Sequence, residues 1–263
     1  MKDKVIVITG ASIGIGAALA AEVASRGAKG VVLAARRETE LAHVAKQIGN
    51  GALVVPTDVT RRSDLERLRE HTLAQFGQLD VIVNNAGRGI SRNVSELTDA
   101  DIDDMMTVNL KSVLYGIQAV LPHFKAKKRG HIITISSGLA RFPLAAIRSA
   151  YSASKAAVNL LMGSLRMELR AEYPDIHCTT VMPGIVATEF GKNALHGGFD
   201  SRALPGAQPV EEVAQVIANA IDKPVAECYT RAQMRELAAA YFSSEDVGAL
   251  ESKPPFFAGP PRP

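Results

Sequence analysis

Short apolar runs recur along the chain and are separated by longer amphipathic stretches. The runs are rich in β-branched residues, and the last is the weakest: Val5–Ile8, Val31–Ala34, Leu53–Val55, Val81–Val83, Ile132–Ile135, His177–Val181 and Ala226–Tyr229. They are apolar without alternation, which indicates strands covered on both faces. The stretches between them have helical spacing, and Thr39–Ile48, for example, places Leu41 and Val44 on one face.

Glycines stand where these helical stretches are expected to end. Gly27 follows the stretch Ile15–Arg26, and Gly49 follows Thr39–Ile48. Strands that alternate with helices in this way are joined by right-handed crossovers. The pattern predicts an α/β fold: a single Rossmann-type, doubly wound parallel β-sheet of about seven strands with helices on both faces. We expect residues 1–253 to form this one domain.

Two segments break the alternation of strands and helices. The first, Phe190–Pro209, is rich in glycine and polar residues, and we interpret it as a lid over a substrate site, with a plain surface loop as the alternative. The second is the proline-rich tail Pro254–Pro263. Its two aromatic residues, Phe256 and Phe257, favour docking on the folded protein, although a loose end is an equal alternative.

Composition and charge limit the classes of protein to which this chain can belong. The chain has 263 residues, of which 47% are hydrophobic and 22% charged, as expected of a globular domain with a sizeable core. The net charge is +3, and the only dense basic run is Lys125, Lys127, Lys128 and Arg129. We interpret this run as a solvated loop before a strand, and therefore predict no binding of nucleic acid.

Cysteine, histidine and hydropathy patterns exclude further classes. Cys178 and Cys228 are far apart and lie in apolar runs, so we expect two free thiols, and the six histidines have no metal-ligand spacing. The run Val5–Ile8 follows Met1 so closely that we expect no cleavable signal, and no apolar run reaches the length of a membrane span. We predict a cytoplasmic protein without a metal site and without membrane association.

A glycine-rich turn follows the first predicted strand and precedes the first predicted helix. Its sequence, Thr9–Gly16, allows a tight turn and a close approach of the backbone to a pyrophosphate at the helix N-terminus. The alternative is an ordinary loop between strand and helix, but the position favours a dinucleotide site. The candidate cofactor-binding residues of this turn are Gly10, Ser12, Ile13, Gly14, Ile15 and Gly16.

The end of the second predicted strand indicates which dinucleotide binds. An NAD site usually has a carboxylate here for the ribose 2′-hydroxyl, whereas this chain has Ala35 followed by Arg36 and Arg37. Guanidinium groups suit phosphate geometry, so we predict that NADP(H) is preferred over NAD(H). The alternative is a basic turn that only faces solvent.

A tyrosine and a lysine begin the helical stretch that contains Leu160, Leu161 and Leu165. Tyr151 and Lys155 are four residues apart, so both project from one helix face. A free tyrosine has a pKa near ~10, and a nearby ammonium lowers that pKa. Such a pair is common and, when it stands alone, is usually a packed helix surface.

These residues together resemble the short-chain dehydrogenase/reductase family, from Lys4 to about Tyr229. The resemblance rests on the order and spacing of Thr9–Gly16, Asp58-Val59, Asn84–Gly87, Asn109, Ser136-Ser137, Tyr151 to Lys155, and Pro183-Gly184 with Thr188. It implies hydride transfer between a nicotinamide dinucleotide and a carbonyl or alcohol.

The resemblance implies a catalytic role for four residues. Ser137 would polarise the substrate oxygen, and Tyr151 would be the general acid or base. Lys155 would bind the nicotinamide ribose and assist Tyr151, while Asn109 would bend its helix and help to hold a water molecule. Ser137 precedes Tyr151 by fourteen positions, one more than the common family spacing, and Ser136 would lengthen that gap.

The resemblance also implies cofactor contacts outside the glycine-rich turn. Positions that match family contacts to adenine, the adenosine ribose and the nicotinamide carboxamide are, in that order, Asp58 and Val59; Asn85, Ala86 and Gly87; and Pro183, Gly184, Val186 and Thr188. Ser12 matches a position that often joins the basic residue at Arg36 in holding a 2′-phosphate.

The sequence thus predicts an NADP(H)-dependent oxidoreductase that acts on a small-molecule carbonyl or alcohol. The alternatives are an NAD-linked alcohol dehydrogenase and a dinucleotide sensor without catalysis, which should lack Ser137, Tyr151 or Lys155. The residues expected around the substrate contain no pair of charges that demands an acidic or basic substrate. We also expect a homodimer or homotetramer, because the helix from Tyr151 to Glu168 offers surplus apolar residues: Ala156, Leu160, Met162, Gly163 and Met167.

Overall fold

The computed structural model describes residues 1–49 and 51–256 of the chain. Its seven strands are β1 (Val5–Thr9), β2 (Gly30–Ala35), β3 (Ala52–Pro56), β4 (Val81–Asn84), β5 (Gly130–Ile135), β6 (Ile176–Met182) and β7 (Glu227–Tyr229). Its helices are α1 (Gly14–Ser25), α2 (Glu38–Ile48), α3 (Arg62–Phe76), α4 (Asp99–Met106), α5 (Ser112–Lys127), α6 (Ser149–Leu169), α7 (Val210–Asp222), α8 (Ala232–Ser243) and α9 (Val247–Glu251). Each predicted strand is present, within two residues of its expected bounds.

The strands form one parallel sheet in the order β3-β2-β1-β4-β5-β6-β7. The predicted doubly wound sheet is therefore confirmed. The chain reverses its direction of travel across the sheet between β1 and β4. In sheets of this kind, ligands bind in the crevice beyond the carboxyl ends of the strands at that reversal.

Each face of the sheet is covered by three helices. On one face, α3, α5 and α6 pack through residues such as Leu68, Ile117 and Val158. On the other face, α1, α2 and α7 bury residues such as Leu19 and Val213. Burial on both faces explains why the strands are apolar without alternation.

Two local expectations need correction. Lys125 and Lys127 do not lie in a loop, because they form the last turn of α5, where positive charges complement the helix dipole. Met162 is fully buried in the core under α6, so it is not part of the outer apolar surface expected of that helix.

The beginning of the proline-rich tail packs on the same subunit. The ring of Phe256 lies 5.7 Å from those of Phe142 and Tyr241, in the loop after β5 and in α8. The docking expected of Phe256 is therefore present in the structure. Residues 257–263, including Phe257, lie outside the described residues.

Candidate active site

Thr9 connects the two strands at which the sheet order reverses. Its hydroxyl donates to the Val83 carbonyl at 3.3 Å and accepts from the backbone N–H groups of Asn85 and Ala86 at 3.0 and 3.1 Å. The Asn85 side-chain amide donates to the carbonyls of Thr9 and Gly10. The end of β4 is thereby tied to the glycine-rich turn, a role of Thr9 that sequence reasoning did not identify.

The glycine-rich turn brings the backbone close to the start of α1. Gly10 and Gly14 have positive φ angles of 66° and 60°, and a Cβ atom on Gly16 would lie 2.3 Å from the Gly10 carbonyl oxygen. The N-cap of α1 is Ile13, whose side chain offers no acceptor to the first N–H groups. This helix start is therefore free to donate to an anion.

Two arginines follow β2, and the expectation from the resemblance joined Ser12 with Arg36. Arg37, not Arg36, donates to the Ser12 hydroxyl, at 3.0 Å, and also lies 3.5 Å from Glu40. The reason is geometric: Arg37 is the N-cap of α2 and its side chain turns back towards the glycine-rich turn. Both arginines are exposed, so their guanidinium groups remain accessible to a ligand.

Asp58 and Val59 follow β3 near these arginines. The Asp58 carboxylate accepts from the Thr60 backbone N–H and hydroxyl at 3.0 and 2.7 Å. Partial burial acts to raise the pKa of Asp58, but these hydrogen bonds and the charges of Arg36 and Arg61 outweigh it and lower the pKa. Asp58 is thus a fixed carboxylate at the edge of the crevice.

Tyr151 and Lys155 lie on the buried face of α6, at the carboxyl end of β5. Their side chains are 8% and 3% exposed, and the Lys155 Nζ atom donates to the Ile135 carbonyl at 2.8 Å. Burial lowers the pKa of Lys155 to about 8. The ammonium thus has a fixed position and is more easily deprotonated than a lysine in water.

The electrostatics of Tyr151 differ from the sequence-based interpretation. Burial raises the pKa of Tyr151, and the groups that act against this rise are the Ser137 hydroxyl and Arg148. The Lys155 Nζ atom is 6.0 Å from the Tyr151 ring centroid and donates to the Ile135 carbonyl instead of to the phenol. In this arrangement the tyrosine is held as a protonated phenol at neutral pH.

The two adjacent serines after β5 have different partners. The Ser136 hydroxyl donates to the Lys155 carbonyl at 3.3 Å and is buried behind α6. The Ser137 side chain lies beside the phenol of Tyr151 and accepts from the Leu139 backbone N–H at 3.2 Å. Of the two candidates, Ser137 is therefore the serine that the structure brings next to Tyr151.

Asn109 lies in a π-helical turn, Thr107–Lys111, between α4 and α5. Its side chain is fully buried, accepts from the Arg88 N–H at 2.9 Å, and donates to the Arg88 carbonyl at 3.0 Å and to Ser154 at 3.1 Å. Ser154 in turn donates to the Tyr151 carbonyl at 2.7 Å. Asn109 therefore joins the loop after β4 to α6.

Gly87 leaves an opening above this network. A Cβ atom at Gly87 would lie 3.1 Å from Asn109 Oδ1 and 3.4 Å from Lys155 Nζ. A side chain there would cover both polar groups. The glycine therefore leaves the side of both groups that faces residue 87 free of a side chain.

The segment from Pro183 to Thr188 closes the crevice on the side of α1. Its backbone pairs with Gln208, and Val186 is buried. The Thr188 side chain approaches Gly14, where an added Cβ atom would meet it at 3.3 Å. Pro183, Gly184, Val186 and Thr188 are thus brought to the same edge of the sheet as the glycine-rich turn.

The segment Phe190–Pro209 lies over Tyr151. The rings of Phe190 and Tyr151 are 5.6 Å apart, and Leu195 pairs with the backbone of residues 89–91. His196 contacts Asp101 at 2.7 Å. Three of its four glycines have positive φ angles, and the fourth is packed against the Phe199 carbonyl, so they serve defined backbone turns.

Arg148, the residue before α6, is a charged neighbour of Tyr151 that sequence reasoning missed. It lies in the loop between β5 and α6, three positions before Tyr151, and this helical spacing was the available signal. Burial lowers the pKa of Arg148. Its charge acts on the Tyr151 phenol, as noted above.

The described residues contain neither a candidate metal cluster nor a candidate membrane span. Within residues 1–49 and 51–256, no group of three or more histidine, cysteine, aspartate or glutamate side chains could hold a metal ion. No helix of the same residues is long and apolar enough to cross a membrane.

Comparison with known proteins identifies similar sequences and folds. Residues 4–197 match the model of the short chain dehydrogenase family. The chain is 40% identical over 234 residues to an uncharacterized oxidoreductase of Listeria innocua, covering 85% of this chain and 92% of that protein.

Solved structures with bound dinucleotides are similar as well. A 3-ketoacyl-(acyl-carrier-protein) reductase from Brucella melitensis, complexed with NADH, has 26% identity and a TM-score of 0.78, over 87% of this chain and 98% of that one. A short-chain dehydrogenase from Burkholderia cenocepacia, in complex with NADP, has 27% identity and a TM-score of 0.80, over 95% and 97% of the two chains.

The glycine-rich turn gives a first testable prediction. Gly16→Ala forces a Cβ atom against the Gly10 carbonyl and should lower the free energy of unfolding by about 1–3 kcal/mol, the usual cost of overpacking. It should also weaken dinucleotide binding. Chemical denaturation and fluorescence titration with NADPH measure the two effects.

Gly163→Ala is the matched control, because the nearest atom to its added Cβ is the end of the Arg166 side chain at 3.7 Å. This helical glycine should tolerate alanine without loss of stability. Equal behaviour of the two variants would contradict the close approach at Gly16.

Proposed function

The chain belongs to the short-chain dehydrogenase family and is an oxidoreductase, and we propose that it interconverts a carbonyl and an alcohol with NADP(H), using Tyr151 as the general acid or base. The observation that carries this proposal is the meeting of Tyr151, Ser137 and Lys155 in one buried site at the carboxyl edge of the sheet. That edge is also where a dinucleotide would lie.

The residues of the crevice fit a nicotinamide dinucleotide. Gly16 has no room for a side chain, and the start of α1 has no side-chain cap, so the backbone there can receive a pyrophosphate. Gly87 places no side chain against Lys155, so a ribose would approach its ammonium from that side. Similar structures that hold NADH or NADP support a dinucleotide of this kind. When bound, the nicotinamide would supply or accept the hydride.

Tyr151 and Ser137 act on the substrate oxygen. As the carbonyl is reduced, negative charge grows on that oxygen, and the adjacent hydroxyl groups of Tyr151 and Ser137 would donate to it. The raised pKa of Tyr151 keeps its proton in place until the oxygen becomes basic enough to take it. In the reverse direction, the phenolate would remove the proton of the alcohol.

Lys155 and Asn109 support the return of a proton to Tyr151. The pKa of Lys155, about 8, is close enough to neutrality for its ammonium to give up a proton. Asn109 holds Ser154, which in turn holds the backbone at Tyr151, so the phenol has a fixed approach. A path through a water molecule between Lys155 and Asn109 would complete the transfer.

The preference for NADP(H) is supported by the charges after β2. The place where a carboxylate would bind a ribose 2′-hydroxyl is taken by Ala35, and the nearby Arg37 is joined to Ser12. Arg36 lies close enough to Asp58 to lower its pKa, so both arginines border the crevice. A 2′-phosphate would be held by Ser12 and this pair of guanidinium groups.

Self-association and a lid are part of the proposal. Leu160 and Met167 on α6 are 77% and 80% exposed and border a cavity of about 900 Å³ on the outer side of that helix, which favours a homodimer or homotetramer through this face. The contact of Phe190 with Tyr151 supports the role of residues 190–209 as a lid. The cytoplasmic location stays a prediction.

Removal of the phenol tests the proposed chemistry. Tyr151→Phe keeps the ring but not the proton, so kcat for carbonyl reduction should fall by about 10²–10⁴-fold while the Kd for NADPH stays within a few-fold. Lys155→Ala should impair both quantities. Absorbance of the reduced nicotinamide and fluorescence titration provide the measurements.

Tyr115→Phe is the matched control, since this tyrosine lies on α5 against Arg62 and outside the site. It should retain both turnover and binding. Turnover by Tyr151→Phe at the rate of the unchanged protein would refute the assignment.

Charge reversal after β2 tests the cofactor preference. Arg36→Asp and Arg37→Asp should each weaken NADP(H) about 10- to 100-fold more than NAD(H), because each removes a hydrogen bond to a charged group. Dissociation constants of both dinucleotides decide the matter. Arg129→Asp is the control for net charge, because Arg129 lies just before β5, at the amino ends of the strands. An unaltered ratio of the NADP(H) and NAD(H) dissociation constants in both test variants would contradict the preference.

A further inference from the structure

Arg148 brings a positive charge to the substrate side of the site. Its Nη1 atom donates to the Ile90 carbonyl at 3.0 Å, and its side chain is half-buried. A Cβ atom on Gly89 would meet Arg148 Nη1 at 3.0 Å and the Phe190 ring at 3.1 Å. Arg148 and Phe190 therefore both pack against Gly89, and the Phe190 ring also contacts that of Tyr151.

The proposed lid also borders this guanidinium group. A Cβ atom on Gly198 would lie 3.2 Å from Arg148 Nη2. One nitrogen of the fork thus faces the loop after β4, and the other faces the segment 190–209. The charge lies between the catalytic tyrosine and the two loops that close over it.

The other arginines around this site have carboxylate partners. They form ion pairs in the following combinations: Arg88 with Asp104, Arg92 with Asp101, Arg141 with Glu227, and Arg202 with Glu189 and Asp200. Arg148 has no carboxylate within 4.0 Å among residues 1–49 and 51–256. Within the described part of the chain, its side chain makes one hydrogen bond, which uses one of five N–H donors on a neutral carbonyl.

We propose that Arg148 binds the carboxylate of the substrate, and that the substrates are therefore short oxo acids and the corresponding hydroxy acids. The inference rests on the proposed function, since it assigns a substrate class to the same site. It makes Arg148 a specificity-determining residue rather than a member of the proton-transfer group.

The chemistry of the guanidinium group favours carboxylate binding by Arg148 over a purely structural role. A hydrogen bond to the Ile90 carbonyl needs a donor but not a charge, and a half-buried charge without a counter-ion is unfavourable. A planar carboxylate fits the fork of an arginine in a bidentate manner and offsets that cost. Burial also lowers the pKa of Arg148, as expected of a cation that lacks a bound anion.

The position relative to Tyr151 sets the shape of the substrate. The substrate carbonyl must lie at the Tyr151 and Ser137 hydroxyls, while the carboxylate lies at Arg148, near enough for its charge to act on the phenol. The Phe190 ring contacts Tyr151 and packs beside Arg148 at Gly89, so it offers an apolar surface to a short linker. Acetoacetate and 4-oxopentanoate, with one and two methylene groups between carbonyl and carboxylate, are suitable probes.

The test compares each oxo acid with its methyl ester, which has the same carbonyl but no charge. The unchanged protein should reduce the acids with higher kcat/KM than the esters. Arg148→Met should lower kcat/KM for the acids about 10- to 100-fold more than for the esters, because a charge-assisted hydrogen bond to the substrate is lost only with the acids, whereas any effect on Tyr151 is common to both. Arg148→Lys should retain part of the activity on the acids. Arg129→Met removes the same charge from an exposed loop and should leave the preference unaltered.

The outcomes distinguish a failure of the role of Arg148 in substrate recognition from a failure of the proposed oxidoreductase function. Equal losses on acids and esters in Arg148→Met would mean that the arginine positions the loops or Tyr151, and would overturn its role in substrate recognition. A preference of the unchanged protein for the esters would overturn it as well. Failure of the unchanged protein to reduce any carbonyl compound with NADPH or NADH would instead contradict the proposed function.

Discussion

The hydrogen bond from Lys155 to the Ile135 carbonyl places a buried ammonium at the carboxyl end of β5, and the rest of the site is arranged around it. The Lys155 side chain reaches this carbonyl because α6 packs against β5 and β6, with Val158 and Met162 filling the core beneath the helix. Burial lowers the pKa of Lys155 and raises that of its neighbour Tyr151. A site that disfavours both the ammonium of Lys155 and the phenolate of Tyr151 holds the phenol in the form that can donate a proton.

Several less favourable local structures serve this arrangement. The π-helical turn at Asn109 interrupts regular helix hydrogen bonding, but it brings the amide to the backbone of Arg88 and to Ser154. The glycine-rich turn needs positive φ angles and leaves the start of α1 uncapped. Such departures from local preference are expected where a ligand must approach the backbone.

The sequence was sufficient for the fold, because the strands are buried on both faces and their apolar runs are visible without any tertiary information. It also identified the family, since the motifs keep their order along the chain. It did not reveal which arginine reaches Ser12, because that depends on the direction in which Arg37 leaves the N-cap of α2. Met162 was misplaced because residues at helical spacing on both sides of α6 are apolar, and only packing decides which side faces the core.

Arg148 is the clearest case of information that only the folded chain contains. In the sequence it is one basic residue in a mixed loop, and its lack of a carboxylate partner among the described residues emerges only when the loops after β4 and β6 are seen around it. The surroundings of this residue thus depend on contacts between segments fifty or more positions apart along the chain.

The central claim is that the site transfers a hydride between a nicotinamide and a carbonyl carbon while Tyr151 supplies the proton. The most direct measurement uses NADPH with deuterium at C4 and follows the product by mass spectrometry and NMR. The account predicts one deuterium on the carbinol carbon of the alcohol, with the hydroxyl proton derived from solvent. The label is placed on each face of C4 in turn. An alcohol that carries no deuterium at carbon with either label, or no reduced product at all, would contradict the account.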